Sequence, residues 1–221
     1  MVELLGLTRS LVDDLREKII IGELVPGQKI NEIQLASNLG ISRSPLREAL
    51  RVLENERLIV SIPRKGSFVT RISLEDLEEA YQIREMIECY AIDLLQENQT
   101  MELPRVISCA DKTSMLDAPL EADPPKVKLA YLAAMADYHY ALIESTGNIR
   151  LFQLYQTVHS SINRYIFLNA FLKGALQHRK EEHYQILECI KRGKYDEAKT
   201  VMRTHIRFSA DQLKIKMKSR F

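Results

Sequence analysis

The sequence lacks the features that mark membrane-spanning, secreted and disulfide-bonded proteins. Its longest apolar runs are too short to cross a bilayer, and its first residues contain no long apolar segment of the kind found in signal peptides. Cysteine is scarce: Cys89, Cys109 and Cys189 are far apart, odd in number and outside any CxxC pattern. Together these absences favour a cytoplasmic protein with no membrane partner, whose cysteines are free thiols in a reducing compartment.

The chain also has no large excess of charge of either sign. It contains 31 lysines and arginines against 30 aspartates and glutamates in 221 residues. Residues 1–72 hold 11 basic and 9 acidic side chains, and the remainder holds 20 and 21. Binding to a polyanion would therefore depend on where charge is placed, not on bulk attraction.

A helix-turn-helix pattern is present in residues 32–51. A short helix is predicted to end at a glycine, and a second to begin at Ser42, a plausible N-cap. The second helix carries Arg43, Arg47 and Arg51 at four-residue spacing, which lines one face with guanidinium groups. Because arginine matches guanine edges and phosphates, this face predicts DNA binding.

The flanking segments complete a winged domain. Apolar residues at helical period predict an amphipathic helix over residues 11–21. Residues 58–62 and 67–72 are rich in β-branched side chains and are predicted as strands. The hairpin tip between the two strands carries Arg64 and Lys65. Three helices followed by a two-stranded wing make a winged helix-turn-helix.

Beyond this domain the pattern is helical, without a further convincing strand. Ser73 and Asp76 have the spacing of a capping box that starts the first helix. Periodicity and breaks predict six helices, over residues 74–96, 102–117, 126–146, 149–171, 174–192 and 195–217. We therefore expect a mainly α-helical chain, with the winged domain over residues 1–72 and an all-helical bundle over 73–221.

Several stretches, taken in order, resemble the GntR family of transcription regulators, and within it the FadR subfamily. They are GELVPGQKI, LASNLGISRSPLREALRVLE, IREMIE, YHYALIESTGN, EEHYQIL and MRTHI. The resemblance covers nearly the whole chain and includes the wing glycine. It implies a winged helix fused to an FCD domain, which binds an effector and forms the dimer. Six helices after the linker make the chain similar to the shorter, VanR-like variant.

This resemblance implies a ligand-responsive transcription regulator, and we expect it to be a repressor. Two chains would pair as a homodimer and present two recognition helices to double-stranded operator DNA. A small carboxylate would enter the helical bundle and alter the affinity for DNA.

Residue roles on the recognition helix also follow from the resemblance. Arg43 and Arg47 would read bases in the major groove, while Ser42 and Ser44 would contact phosphates. Arg51 is either a further phosphate contact or a solvated surface charge. Surface ion pairs are the alternative role for the first two arginines.

The wing and two departures from the family pattern affect the expected DNA-binding surface. Gly66 would let the wing backbone approach the minor groove, with Arg64 and Lys65 adding electrostatic attraction. Ile33 stands where many family members carry a basic residue, so one expected DNA contact is missing or replaced. Arg57 stands where the family usually has a glycine, which predicts either a strained left-handed backbone or a phosphate contact.

Three histidines form a candidate metal site. His183 lies ten residues before Gly193 and His205 twelve after it, so an antiparallel hairpin would place them at similar height. The resemblance implies that these two and His139 match the three histidines of the FCD metal site. That site also uses an aspartate, and Met135 occupies its position. Three imidazoles can still hold Zn²⁺ or Ni²⁺ with open positions; the alternative is a metal-free pocket in which the histidines bind the ligand or each other.

Arg84 is the candidate for binding the carboxylate of the effector. The resemblance implies that it faces the pocket, and its guanidinium has the bidentate geometry that an anion needs. The local alternative is a helix-surface pair with Glu88. His159 and His178 have no such support, and we expect them at the surface or in an interface.

Two other functions stay open on sequence grounds. One is a metal-dependent hydrolase on the three-histidine site, although the nearest acidic residues, Glu181 and Glu182, are expected to point to other helix faces. The other is a helical oligomerisation module whose winged helix binds protein. The arginine-lined face argues against this function, because a protein-binding winged helix has no need for it. We therefore expect a DNA-binding regulator and not an enzyme.

Overall fold

The computed structural model describes residues 2–100, 102–120, 122–169 and 175–220. The chain divides into two compact units, Met1–Ser73 and Leu74–Phe221. This division falls one residue after the boundary expected from the sequence. None of the helices formed by the described residues combines the length and the hydropathy needed to cross a bilayer.

The first unit contains three helices and two strands, as the pattern predicted. They are α1 (Val2–Ile21), α2 (Glu32–Asn38), α3 (Arg43–Asn55), β1 (Ile59–Ile62) and β2 (Gly66–Val69). The strands are antiparallel, with Ile59 opposite Val69 and Ile62 opposite Gly66. The first helix starts nine residues earlier than its apolar period indicated. The core packs α1 against α3 through fully buried leucines such as Leu15 and Leu53.

Local contacts explain where these helices begin and end. The side chain of Asn31 caps α2 by accepting a hydrogen bond from the backbone N–H of Gln34 at 3.1 Å. Ser42 precedes α3 with extended backbone, but its hydroxyl makes no capping hydrogen bond. After α3, Arg57 has a φ of 58°, so this residue does adopt the left-handed conformation that the family pattern indicated.

The second unit is the all-helical bundle. Its helices are α4 (Leu74–Glu97), α5 (Pro104–Ser114), α6 (Pro125–Glu144), α7 (Ile149–Asn169), α8 (Ala175–Lys191) and α9 (Tyr195–Arg220). All six expected helices are present, and α5 ends three residues earlier than expected. The expected end of α7 at residue 171 and the break at 174 lie outside the described residues. The α4 helix packs against α6, α7 and α9, which makes it the central helix of the bundle.

Candidate functional site

The predicted DNA-reading face lies on the solvent side of α3. Leu46, Leu50 and Leu53 are buried on the other side of the same helix. The side chains of the three arginines are 55%, 63% and 72% exposed, in the order Arg43, Arg47, Arg51. This separation follows from helical period, because residues four apart share a face.

A carboxylate from the preceding helix contacts two of these arginines. Glu32, in the first turn of α2, accepts a hydrogen bond from Nε of Arg47 at 3.1 Å, and its Oε2 lies 3.9 Å from Nη2 of Arg43. Its other oxygen lies 3.5 Å from the hydroxyl of Ser67 in the wing. Sequence reasoning missed this role of Glu32 because the contact spans fifteen residues and depends on the helix-turn-helix angle. Arg51 instead pairs with Glu48 at 2.8 Å.

The wing presents its predicted contacts to solvent. Arg64, Lys65 and Gly66 are all exposed at the hairpin tip, as are Ser42 and Ser44 beside the start of α3. Gly66 has a φ of 101°, a backbone conformation that residues other than glycine rarely adopt.

The bundle brings together the three histidines singled out in the sequence. His139 on α6, His183 on α8 and His205 on α9 are buried, and each offers a nitrogen within 4.8 Å of the other two. The Nε2 atoms of His139 and His183 are 3.2 Å apart. A tetrahedral ion with bonds of about 2.0–2.1 Å would hold two nitrogens about 3.4 Å apart. The donor set therefore fits a divalent metal ion.

Carboxylates orient two of these imidazoles. Oε2 of Glu88 lies 2.7 Å from Nδ1 of His139, and Oε2 of Glu182 lies 2.5 Å from Nδ1 of His205. A carboxylate at Nδ1 keeps a hydrogen on that atom and leaves Nε2 with a lone pair. The expectation that Glu182 points away from the histidines is therefore wrong, because Glu182 contacts His205, the member of the cluster on α9.

His183 is held as a neutral ring. Burial, and then the neighbouring His139 and His205, lower its pKa well below the usual value. The ring of Tyr138 stacks on it at 3.9 Å between centroids, and the Tyr138 hydroxyl donates to its backbone carbonyl. A neutral imidazole in a fixed orientation is the form that binds a metal ion or accepts a hydrogen bond.

Arg84 is buried at the centre of this network. Its Nε donates to Oε1 of Glu88 at 2.6 Å, and its Nη2 lies 3.0 Å from Nε2 of His139. The hydroxyl of Tyr155 donates to the same oxygen of Glu88 at 3.0 Å. Burial opposes the charge of Arg84, but Glu88 outweighs it, so the pKa of the guanidinium is raised. The pair with Glu88 exists, but it lies inside the bundle and not on the helix surface.

A small cavity joins these groups, with a volume of about 30 Å³. This space suits an ion or one or two water molecules. Met135 lines it at the position expected for the aspartate. The polar lining consists of Arg84, His139, His159, Asn163, His183 and His205.

His159 is the residue that the sequence misplaced. It is 1% exposed, and burial, with Arg84 nearby, lowers its pKa to about 3. Its Nδ1 has no hydrogen-bond partner among the described residues. The helical stripe of Tyr155, His159, Ile162 and Ile166 on α7 was the available signal, since all four are buried. The side chain of His178 lies outside the described residues.

An exposed arginine face on a winged helix and a buried polar cavity in a helical bundle define a class of protein, the DNA-binding regulator with a sensor domain. Residues 7–69 match the model of the bacterial regulatory proteins of the gntR family, and residues 79–208 match the FCD domain. The chain therefore belongs to the GntR family of transcriptional regulators and carries an FCD domain.

Similar proteins agree with this assignment. The HTH-type transcriptional regulator YdhC of Bacillus subtilis is 29% identical over 203 residues, which cover 91% of this chain and 88% of YdhC. The gluconate operon transcriptional repressor of Bacillus licheniformis is 25% identical over 181 residues, covering 79% and 69%. A crystal structure of a GntR-type regulator from Rhodococcus sp. RHA1 has the same fold, with a TM-score of 0.71 at 22% identity over 94% of this chain and 97% of that one.

These findings confirm that the chain is a DNA-binding transcriptional regulator and favour that function over the hydrolase and the protein-binding module. FCD domains commonly bind a metal ion, and this bundle contains a three-histidine cluster.

Proposed function

We propose that this protein is a repressor that binds a pseudo-palindromic operator as a homodimer and responds to a small carboxylate. The observation that carries the DNA-binding part is the pair of exposed arginines, Arg43 and Arg47. Both contact the same half-buried carboxylate, that of Glu32. Ordered guanidinium groups on a recognition helix are suited to guanine edges in the major groove.

The surrounding exposed groups would hold the phosphate backbone on either side of the base contacts. In this proposal the positioning contacts come from Ser42, Ser44, Arg51, Arg64, Lys65 and the backbone at Gly66. Their exposure supports the role.

The helical cavity would receive the effector by widening beyond its present space for an ion or one or two water molecules. Arg84 would bind its carboxylate, and His139, His183 and His205 would hold Zn²⁺ or Ni²⁺ or contact the effector directly. Met135 offers only a thioether, a poor ligand for such ions, so coordination positions would stay open for water or a carboxylate. A bound ion would supply a compact positive charge. A relative named as the repressor of a gluconate operon supports the repressor role, and the metabolite in that operon's name is a carboxylate.

The effector would act through a difference in affinity. It can shift the protein between DNA-competent and incompetent states only as far as it binds one of them better. The segment over residues 70–76, between the two units, would carry this change.

Selection from a random duplex library by the full-length protein tests the DNA-binding part. We expect one preferred, roughly palindromic sequence. Arg43→Ala or Arg47→Ala should each reduce the discrimination between the correct and a wrong base pair at one position by about 1–3 kcal/mol of binding free energy. Arg150→Ala, an exposed arginine of the bundle, is the matched control. Recovery of no preferred sequence would refute the proposal, and equal operator affinity across a broad panel of carboxylates would refute the sensing part.

A further inference from the structure

The contact between Arg84 and His139 determines which nitrogen of the imidazole is available. A guanidinium can only donate, so Nε2 of His139, 3.0 Å from Nη2 of Arg84, must be the acceptor. The hydrogen of the ring therefore sits on Nδ1 and is donated to Glu88. Nε2 of His139 also lies 3.2 Å from Nε2 of His183, so its lone pair is the one that a metal ion in the three-histidine cluster would require.

We propose that Arg84 is an internal competitor for the metal site, so that a divalent ion binds only when Nη2 of Arg84 leaves His139. The released end of the guanidinium is then available to a carboxylate, which makes ion and carboxylate binding mutually favourable. This inference rests on the three-histidine site of the proposed function.

Two features allow Arg84 to move at one end only. Its Nε is held by Oε1 of Glu88 at 2.6 Å, and that oxygen is fixed further by the hydroxyl of Tyr155. The Nη2 end contacts His139, and both residues line the cavity. Release of the contact with His139 therefore leaves the buried ion pair with Glu88 intact, so no isolated charge is created.

Charge explains why the ion and the carboxylate would bind together. The charges of Arg84 and Glu88 compensate each other, and Met135 brings no charge to the cavity where an aspartate would bring one. A divalent ion added beside the guanidinium would place like charges close together in a medium of low polarity. A carboxylate between the two cations would relieve that repulsion and could engage both.

Zn²⁺ affinity of the full-length protein, measured by competition with a chromophoric chelator, tests the proposal. Arg84→Lys keeps a charge for Glu88 but cannot reach Glu88 and His139 together; Arg84→Met removes the donors and the charge. We expect Zn²⁺ affinity to rise about tenfold or more in Arg84→Met, since a charged hydrogen bond is no longer broken. The rise should be smaller in Arg84→Lys, which remains informative if Arg84→Met does not fold. Arg150→Lys should match the unchanged protein.

Formate, the smallest carboxylate, provides the second measurement. It should raise the Zn²⁺ affinity of the unchanged protein, and this gain should vanish in Arg84→Met. Equal or weaker Zn²⁺ binding in both Arg84 variants would overturn the proposal, and so would an absence of Zn²⁺ binding in every variant. Neither result would alter sequence-specific operator selection, so failure here is distinguishable from failure of the proposed regulator function.

Discussion

Glu32 on α2 accepts a hydrogen bond from Arg47 on the recognition helix at 3.1 Å, so a negative charge lies at the edge of the proposed DNA-reading face. Alone, an exposed pair of this kind contributes little stability. Its value to a DNA-binding protein is orientation, since it limits the directions that Arg47 and Arg43 can take before DNA arrives.

Replacement of Glu32 by glutamine should therefore weaken discrimination more than affinity. Removal of the negative charge should raise affinity for scrambled duplex DNA, because repulsion of phosphates is lost. The ratio of operator to scrambled affinity should fall about threefold to tenfold, since a correct bidentate contact is worth about 1–3 kcal/mol and part of its preorganisation is lost. Fluorescence titrations at one fixed salt concentration measure both values. Glu97→Gln, an exposed change in the bundle, should leave the ratio unchanged, and an unchanged ratio in Glu32→Gln would contradict the orienting role.

Arg57 offers a test of backbone strain. Its φ of 58° costs a residue with a Cβ about 1–2 kcal/mol, whereas glycine adopts it freely at some cost in unfolded-state entropy. Arg57→Gly should therefore raise the free energy of unfolding by about 0.5–1 kcal/mol, measured by urea denaturation. The hydrogen bond from Thr70 to the backbone carbonyl of Arg57 should survive, since it uses no side-chain atom of residue 57.

Arg57→Ala separates strain from side-chain loss. Alanine keeps the Cβ and hence the strain, so it should not gain stability. If both variants bind operator DNA more weakly and with a shallower salt dependence, the side chain also contacts a phosphate. Equal stability of the glycine and alanine variants would show that strain at this position is negligible.

The sequence predicted the fold well because its strongest signals are local. Helical period, the glycine and proline breaks and the alternation in the wing fall within windows of a few residues, and the elements follow them. The partner of a charged side chain is different, because it depends on how helices pack. Arg84 and Glu88 were recognisable as neighbours on one helix, but α4 is covered on several sides by α6, α7 and α9, which buries a pair that would otherwise face water.

His159 also shows which features of a side chain's environment can be predicted from local sequence and which cannot. No motif marked it, and a histidine is more often found at intermediate exposure than in a core. Its burial follows from its place on the apolar stripe of α7, where Tyr155 and Ile162 flank it. Periodicity alone contained that signal, whereas the unpartnered Nδ1 and the nearby Arg84 emerge only from the packed bundle.

The depressed pKa of His159 predicts loss of stability in acid. The unfolded ring has a pKa of about 6.5, and burial lowers it to about 3 in the folded chain. Between these values the unfolded chain binds more protons, so stability is complete above about pH 6.5 and falls as the pH drops through this window. One such group contributes a slope of up to about 1.4 kcal/mol per pH unit.

Urea unfolding at pH 7 and pH 5 measures this effect. His159→Phe keeps a ring in the core and removes the titrating group, so its stability should fall less between the two pH values than that of the unchanged protein. Tyr140→Phe, a change in a ring that packs on His159, should retain the original slope. If stability changes with pH equally in all three proteins, the pKa of His159 is the same in the folded and the unfolded chain, and the prediction is wrong.

Met135 lines the cavity one helical turn before His139, at the position where the sequence resemblance predicts an aspartate. A carboxylate there would add a charged oxygen ligand to three imidazoles and would also attract Arg84 away from His139. Met135→Asp should therefore raise Zn²⁺ affinity about tenfold or more, since a thioether is a poor ligand for this ion. Without the ion the same variant should be less stable than the unchanged protein, because an additional carboxylate is buried.

Zn²⁺ competition and thermal unfolding with and without the ion check both expectations. Met135→Asn has nearly the shape of the aspartate variant but no charge, so it should gain much less Zn²⁺ affinity. A large increase in the unfolding temperature on addition of Zn²⁺ should be specific to the aspartate variant. If the aspartate and asparagine variants bind Zn²⁺ equally, the ion does not occupy the space between Met135 and the three histidines, because a charge placed there would otherwise act on it directly.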